Sequence, residues 1–152
     1  MLPPFQTLID AHSHDVRRFL VGFVGPNDAD DCFQEAFLAA LRAYPRLRDA
    51  SNLRAWLLRI AYRKGVDAIR DRRRRPDPVP TVPERGVIDG RADDGLWRAV
   101  AALPPKQRAA VVHRFVVDLP YRDVAAAIGT SEDAARRNVH EAVKRLREVV
   151  ER

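Results

Sequence analysis

Arginines recur at helical spacing in the first half of the chain, a pattern typical of a surface that binds a polyanion. Steps of four, seven and four residues place them on one helix face, where their guanidinium groups can bind successive phosphates. The members of this face are Arg59, Arg63, Arg70 and Arg74. Tyr62 is a candidate for stacking on an unpaired base, whereas Trp56 lies on the apolar stripe and is expected in the core. Because Asp67 and Asp71 lie among the arginines, a merely solvated face is the alternative.

A second basic face lies near the end of the chain, on the second helix of a predicted helix-turn-helix. Gly129 and Ser131 predict the tight turn, since Gly turns left-handed without steric cost and Ser caps the next helix. In such motifs the N-terminal part of the second helix contacts base edges in the major groove. The base-edge candidates are therefore Arg136, Arg137 and Asn138, and the outward face continues through His140, Lys144 and Arg147. A surface without a binding role is again the alternative.

Residue types that catalyse reactions or bind metals are present but poorly placed. His12 and His14 are two residues apart, so on a helix they point to nearly opposite sides and cannot share one ion. Cys32 is the single cysteine, which excludes an intramolecular disulfide framework, and no His lies within helical reach to activate it. There is no phosphate-binding Gly-rich loop, dinucleotide fingerprint or paired-His motif. We therefore expect no enzyme, no metal and no cofactor.

The elements that position these basic faces are predicted to be helices, because apolar residues recur at helical spacing and no segment alternates as a half-buried strand would. The 152 residues carry a net charge of +6, and this charge is unevenly distributed. Residues 1–75 carry +5, residues 76–95 carry −3 and residues 96–152 carry +4. The middle segment has four prolines and three glycines, which favours a flexible linker. The sequence thus predicts an all-α protein with two small helical domains joined by that linker.

Glycine, proline and helix-capping residues predict where the helices of the first block begin and end. Gly25-Pro26 ends the first helix, the second opens after Asn27-Asp28, and Pro45 ends it. Ser51 or Asn52 is expected to cap the third helix. The second helix is expected to bury Phe33, Ala36, Phe37, Ala40 and Leu41. In the second block, the helix that begins at Pro104-Pro105 has an apolar stripe of Val111, Val112, Phe115 and Val116, which is expected in the core.

The N-terminal residues and the hydropathy pattern bear on location. Met-Leu-Pro-Pro-Phe lacks a charged n-region and a long apolar segment, and no run of 18 apolar residues occurs. Cys32 is the only cysteine, as expected in a reducing compartment. We expect a cytoplasmic protein that is neither exported nor membrane-spanning.

Three segments carry a resemblance to a known family. ADDCFQEAFLAAL at 29–41 is similar to an acidic, aromatic docking helix, and NLRAWLLRIAYRKGVDAIRDRRRR at 52–75 to a promoter-melting helix. ALPPKQRAAVVHRFVVDLPYRDVAAAIGTSEDAARRNVHEAVKRLRE at 102–148 resembles the reader of an upstream promoter element. The family is the group IV, or extracytoplasmic-function, sigma factors of bacterial RNA polymerase. The order of the two halves and the short acidic linker agree with it.

The resemblance implies a non-catalytic specificity subunit and its partners. The first block would dock on the clamp helices of the largest polymerase subunit through Asp31, Gln34 and Glu35, which share one helix face. It would also melt the minus-ten element, with DNA contacts at Arg59, Tyr62, Arg63, Arg70 and Arg74. The second block would bind the minus-thirty-five duplex and the polymerase flap. The linker would thread toward the RNA exit path, and an anti-sigma factor is a further implied partner.

Several residues depart from the family pattern. Arg63 stands where many members have Asn, and Glu132, Asp133 and Glu141 place negative charge on the predicted reading helix. Carboxylates near phosphates should weaken duplex binding. A rival hypothesis is a stand-alone helix-turn-helix regulator whose first block senses a signal or dimerises. A metal-dependent nuclease would need clustered carboxylate or His ligands, which the helical spacing does not provide.

Overall fold

The computed structural model describes residues 2–74 and 94–151, and every regular element in these two ranges is helical. The elements are α1 (Phe5–Val24), α2 (Pro26–Ala43), a 3₁₀ turn (Tyr44–Arg46), α3 (Leu53–Arg74), α4 (Asp94–Ala102), α5 (Pro105–Phe115), α6 (Tyr121–Ile128) and α7 (Glu132–Val150). The prediction of an all-α protein is confirmed. Most of the predicted linker, residues 76–93, lies outside the described residues, and its last two positions already belong to α4.

The first block consists of α1, α2 and α3. Gly25 has φ of 89°, which ends α1 at Val24, and α2 begins at Pro26. The predicted start after Asn27-Asp28 was late, because proline has a fixed φ and no N–H and so fits the first turn of a helix. Asn52 caps α3, since its Oδ1 accepts a hydrogen bond from the Ala55 N–H at 3.1 Å. One of the two predicted caps is thus confirmed.

The buried face of α2 is made of small side chains. They are Ala29, Cys32, Ala36 and Ala40. Phe33 and Phe37 are only half-buried and pack against each other at the edge of the bundle, with ring centroids 4.7 Å apart. Leu41 is 51% exposed, so its predicted burial was wrong. Small side chains let α2 approach its neighbours closely, and this leaves the larger ones at the margin.

A close contact inside the first block depends on a glycine in α3. A Cβ atom built on Gly65 would lie 2.6 Å from Cδ2 of Phe23 on α1. Real Cβ atoms do not approach carbon this closely, so the α1–α3 contact requires glycine at this position. The contact sets the spacing of the helix that carries the basic face.

The second block contains the predicted helix-turn-helix. Gly129 adopts the left-handed conformation with φ of 72° and ψ of 40° after α6. The Ser131 Oγ accepts a hydrogen bond from the Ala134 N–H at 3.1 Å and caps α7. Both turn predictions are confirmed. Phe115, expected in the core, is instead 63% exposed at the end of α5, where the chain turns away.

The two blocks pack against each other along α1 and α3 of the first and α5 and α6 of the second, and we call this contact the block interface. The buried Arg108 guanidinium donates hydrogen bonds to the Phe23 carbonyl at 3.0 Å, across the interface, and to the Ala101 and Leu103 carbonyls at 2.7 and 3.2 Å. Asn52 Nδ2 donates to Asp123 Oδ1 at 2.8 Å. The chain therefore has a closed arrangement.

Candidate nucleic-acid interface

The predicted basic face on α3 is exposed as its spacing required. Arg59, Arg63, Arg70 and Arg74 are all exposed. The adjacent Arg72 pairs with Asp28 of α2, Nε to Oδ2 at 2.9 Å, so part of the positive charge on this helix is neutralised. The four predicted residues nonetheless present a row of cations on the surface of the first block.

Tyr62 is half-buried, which limits its role as a stacking platform. Its ring packs against Phe23 with centroids 5.6 Å apart, and burial raises the pKa of its hydroxyl. Trp56 is also half-buried and lies near Tyr44, at 6.1 Å between centroids. A base can therefore reach the outer edge of the Tyr62 ring while the inner face stays in the core.

Arg59 is exposed, but it lies beside the block interface. A Cβ built on Gly129 would be 3.5 Å from Nη2 of Arg59, so this arginine of α3 sits beside the turn of the helix-turn-helix. Close by, Arg54 of α3 lies 3.6 Å from the Asp123 carboxylate of α6. The closed arrangement thus brings the first turns of the basic α3 helix against the helix-turn-helix of the second block.

On α7 the principal base-edge candidate, Arg136, already has partners. Its Nη2 lies 3.0 Å from Oε1 of Glu132, and its Cζ lies 4.4 Å from the centroid of the Tyr121 ring on α6. Arg114 also lies over that ring, at 4.7 Å. With Arg122 these side chains line a shallow, open cavity of about 350 Å³. Because cation–π contacts and an i,i+4 pair orient a flexible side chain, Arg136 is held near the start of α7.

The remaining residues of this face differ in what they offer to DNA. Arg137, His140 and Lys144 are exposed. Asn138 is turned back, since its Nδ2 donates to the Ala134 carbonyl of its own helix at 2.9 Å. This bond uses one of its two Nδ2 hydrogens, and the other hydrogen and the Oδ1 acceptor have no partner within residues 2–74 and 94–151.

Sequence reasoning missed the arginines that flank the reading helix. Arg114 and Arg122 come from α5 and α6, and only the fold brings them beside Arg136. The Tyr121 ring of α6 is half-exposed, and the guanidinium groups of Arg114 and Arg136 lie over it. The sequence signal that could have indicated this cluster is an aromatic residue at the first position of a helix, directly followed by Arg122.

The candidate polymerase-docking residues lie together on the exposed side of α2. Asp31, Gln34 and Glu35 are exposed, whereas Cys32 between them points into the core. Burial, together with the neighbouring Asp28, Glu35 and Asp31 carboxylates, raises the pKa of the Cys32 thiol to about 11. This thiol is therefore protonated and unreactive near neutral pH, which supports a packing role.

An apolar cleft occurs in the second block between α4, α5 and α7. It has a volume of about 380 Å³, and its lining includes Trp97, Val100, Val143 and Leu146. The exposed Phe115 ring stands at its margin. The cleft is nearly free of polar surface, so its shape and chemistry suit an apolar side chain of another protein.

Within residues 2–74 and 94–151, no three His, Cys, Asp or Glu side chains are grouped so that they could hold a metal ion. No helix in the same ranges combines the length and apolar character needed to cross a bilayer.

Known proteins match both blocks. Residues 8–75 match the family model for Sigma-70 region 2, and residues 94–146 match that for Sigma-70, region 4. The ECF RNA polymerase sigma factor SigD of Mycobacterium tuberculosis is 37% identical over 133 residues, which cover 80% of this chain and 63% of SigD. SigC of the same species is 34% identical over 141 residues, covering 88% of this chain and 76% of SigC.

The fold also matches a solved structure. The sigma factor RpoE of Bartonella quintana, crystallised with the anti-sigma factor NepR, superposes with a TM-score of 0.79. The match covers 97% of this chain and 96% of RpoE at 21% identity, which is a likeness of fold. Both halves, their order and the overall similarity to SigC lead to one conclusion. This chain belongs to the extracytoplasmic-function sigma factors of RNA polymerase.

Proposed function

We propose that the chain directs the RNA polymerase core to a subset of promoters and starts transcription there, as a dissociable and non-catalytic cytoplasmic subunit. One observation carries the proposal: the same short chain exposes a basic face on α3, a second one on α7 and an acidic face on α2. A stand-alone helix-turn-helix regulator has no need of the first and third of these surfaces. The SigD proteins that the chain resembles are longer, and the chain spans 63% of their length.

The first block is proposed to dock on the polymerase and open the minus-ten element. Asp31, Gln34 and Glu35 would meet a basic surface of the clamp helices, because exposed acidic groups favour a cationic partner. Separated DNA strands carry phosphates that the α3 arginines can bind and bases that can stack. The predicted contacts are Arg59, Tyr62, Arg63, Arg70 and Arg74.

The second block is proposed to bind the minus-thirty-five duplex through α7. Arg136 would contact a base edge, with Arg137, Asn138, His140 and Lys144 contributing base or phosphate contacts. Arg114 and Arg122 add positive charge beside the start of that helix, where a backbone phosphate would lie. Pairing of Glu132 with Arg136 offsets the repulsion expected from this carboxylate.

The polymerase flap and an anti-sigma factor are proposed as further partners of this chain. The apolar cleft beside Phe115 suits an apolar segment of the flap. An anti-sigma factor would prevent polymerase binding by covering the acidic face of α2 or by holding the two blocks together. The fold shared with RpoE, which was crystallised with such a factor, supports this choice.

The closed arrangement must open before the chain can bind both promoter elements. These elements lie roughly 25 base pairs apart, or about 85 Å at 3.4 Å per base pair. A compact chain of this length has a radius of gyration of only about 15 Å. Segment 76–95 is proposed as the connection that lets residues 1–75 and 96–152 separate as two domains.

Reconstitution with purified core polymerase tests the function. Co-purification followed by run-off transcription from a genomic fragment library should yield discrete, chain-dependent transcripts. If the chain binds promoter duplexes but never associates with core polymerase, the rival regulator hypothesis replaces this one.

A further inference from the structure

His113 is the most unusual side chain of the block interface. It belongs to α5 and has 0% exposure, and its ring lies flat on that of Phe19 from α1, with centroids 4.0 Å apart and an interplanar angle of 1°. Neither ring nitrogen has a hydrogen-bond partner. Buried polar atoms are almost always paired in folded proteins, so an imidazole with two unpaired nitrogens between two separable blocks calls for explanation.

Within residues 2–74 and 94–151, burial alone lowers the pKa of His113, to about 3. The buried charged side chains of the second block have other partners: Asp123 of α6 accepts a hydrogen bond from Asn52, and Arg108 of α5 donates to backbone carbonyls. Asp15 of α1 and Arg114 of α5, which are partly buried, pair with Arg54 and with the Leu119 carbonyl. The buried side chains of α7, which packs on α5, are the apolar Ala135, Val139 and Ala142.

We propose that His113 is a proton-sensitive element of the block interface, which permits closure while its ring is neutral and favours separation of the blocks under mild acid. In the closed form the imidazole has no acceptor for a second N–H and must stay neutral. When the blocks separate, water reaches the ring and it can take up a proton. Acidification therefore favours the open form, the one proposed above to span both promoter elements.

The direction and size of the effect follow from linkage. An exposed histidine titrates near pH 6.5, so the open form gains protons below that pH while the closed form does not until about pH 3. Well above pH 6.5 protonation does not oppose closure, and the ratio of closed to open molecules falls about tenfold for each pH unit below that value. Between pH 7.5 and 5.5 the ratio of open to closed molecules should rise about tenfold.

Single-molecule energy transfer between the blocks measures this ratio on the full chain. Donor and acceptor dyes attach to Arg42→Cys on α2 and Arg145→Cys on α7, both exposed positions, in a Cys32→Ala background. The ratio of low-transfer to high-transfer molecules should rise about tenfold from pH 7.5 to 5.5. Far-UV circular dichroism should stay constant, which separates block opening from unfolding.

Two replacements at position 113 and one control elsewhere complete the test. His113→Leu and His113→Phe keep an apolar side chain against Phe19, and each should abolish the pH response while holding the chain closed. His12→Gln is the matched control, because His12 is another partly buried histidine whose pKa is lowered, by burial and by Arg54. It should leave the response intact. A chain that stays closed down to pH 5.5, or a response that survives both replacements, overturns the proposal.

Discussion

Replacing Asn52 with Asp should open the block interface without disturbing either block. The Asn52 amide spans the interface: its Oδ1 caps α3, and its Nδ2 donates to the buried Asp123 carboxylate at 2.8 Å. Asp caps a helix as well as Asn does, so Asn52→Asp keeps the first function. It replaces the donor with a second carboxylate and so sets two negative charges against each other.

The free-energy cost of Asn52→Asp to the closed form can be estimated from this geometry. A hydrogen bond to a charged group contributes about 1.5–3 kcal/mol, and two like charges 4 Å apart repel by about 4 kcal/mol at an effective dielectric constant of 20. Arg54, 3.6 Å from Asp123, offsets part of the repulsion, and solvent around the exposed position 52 screens it further. We expect a net cost to closure of about 2 kcal/mol, or about 30-fold toward the open form.

Energy transfer between dyes on α2 and α7 measures the shift. The matched control adds Asp123→Asn to Asn52→Asp, which restores one donor and one acceptor with their positions exchanged, and it should close the interface again. Unchanged transfer in the single variant, or no recovery in the double, would show that this contact does not hold the blocks together.

Three further predictions address the proposed surfaces and the core. Replacing Asp31, Gln34 and Glu35 together by Ala should abolish pull-down of core polymerase while the melting temperature stays nearly unchanged; retained binding would refute the docking assignment. Arg136→Ala should weaken the binding free energy by roughly 1–3 kcal/mol on a duplex selected from a random pool and by much less on a scrambled duplex. Equal losses on both duplexes would make Arg136 a phosphate anchor. Glu141→Arg should tighten binding to both duplexes and steepen the salt dependence by about one to two log–log units. Gly65→Ala should lower the free energy of unfolding by about 1–3 kcal/mol in urea melts, since the new methyl group overlaps Phe23, and a stabilised variant would contradict the close α1–α3 contact.

The sequence predicted features that local chemistry decides. The helical class, the Asn52 and Ser131 caps and the left-handed Gly129 each depend on a few neighbouring residues, and all are found in the structure. The exposure of Asp31 and of the arginines on α3 also followed from helical spacing. These predictions needed no knowledge of which helices pack together.

Features that depend on long-range packing were not predicted. The block interface joins residues far apart in the chain, such as Phe19 with His113, and no periodicity encodes that pairing. Leu41 and Phe115 lie on apolar stripes, yet both are exposed because α2 packs through smaller side chains and α5 ends at the surface. The partners of Arg136 depend on how α6 crosses α7, which fixes the position of Tyr121.

The small-residue face of α2 has a consequence for how new partner specificities could arise. Because the small side chains of Ala29, Ala36 and Ala40 form the buried face of the helix, exposed side chains on its opposite side, such as Asp31 and Glu35, take no part in that packing. The outward positions can then be exchanged, singly or together, at little cost in folding free energy. A library randomised at such positions as Asp31 and Glu35 should therefore yield mostly folded proteins, and α2, as the helix proposed here to dock on the polymerase, is a suitable site for engineering sigma factors that bind an altered polymerase instead of the native one.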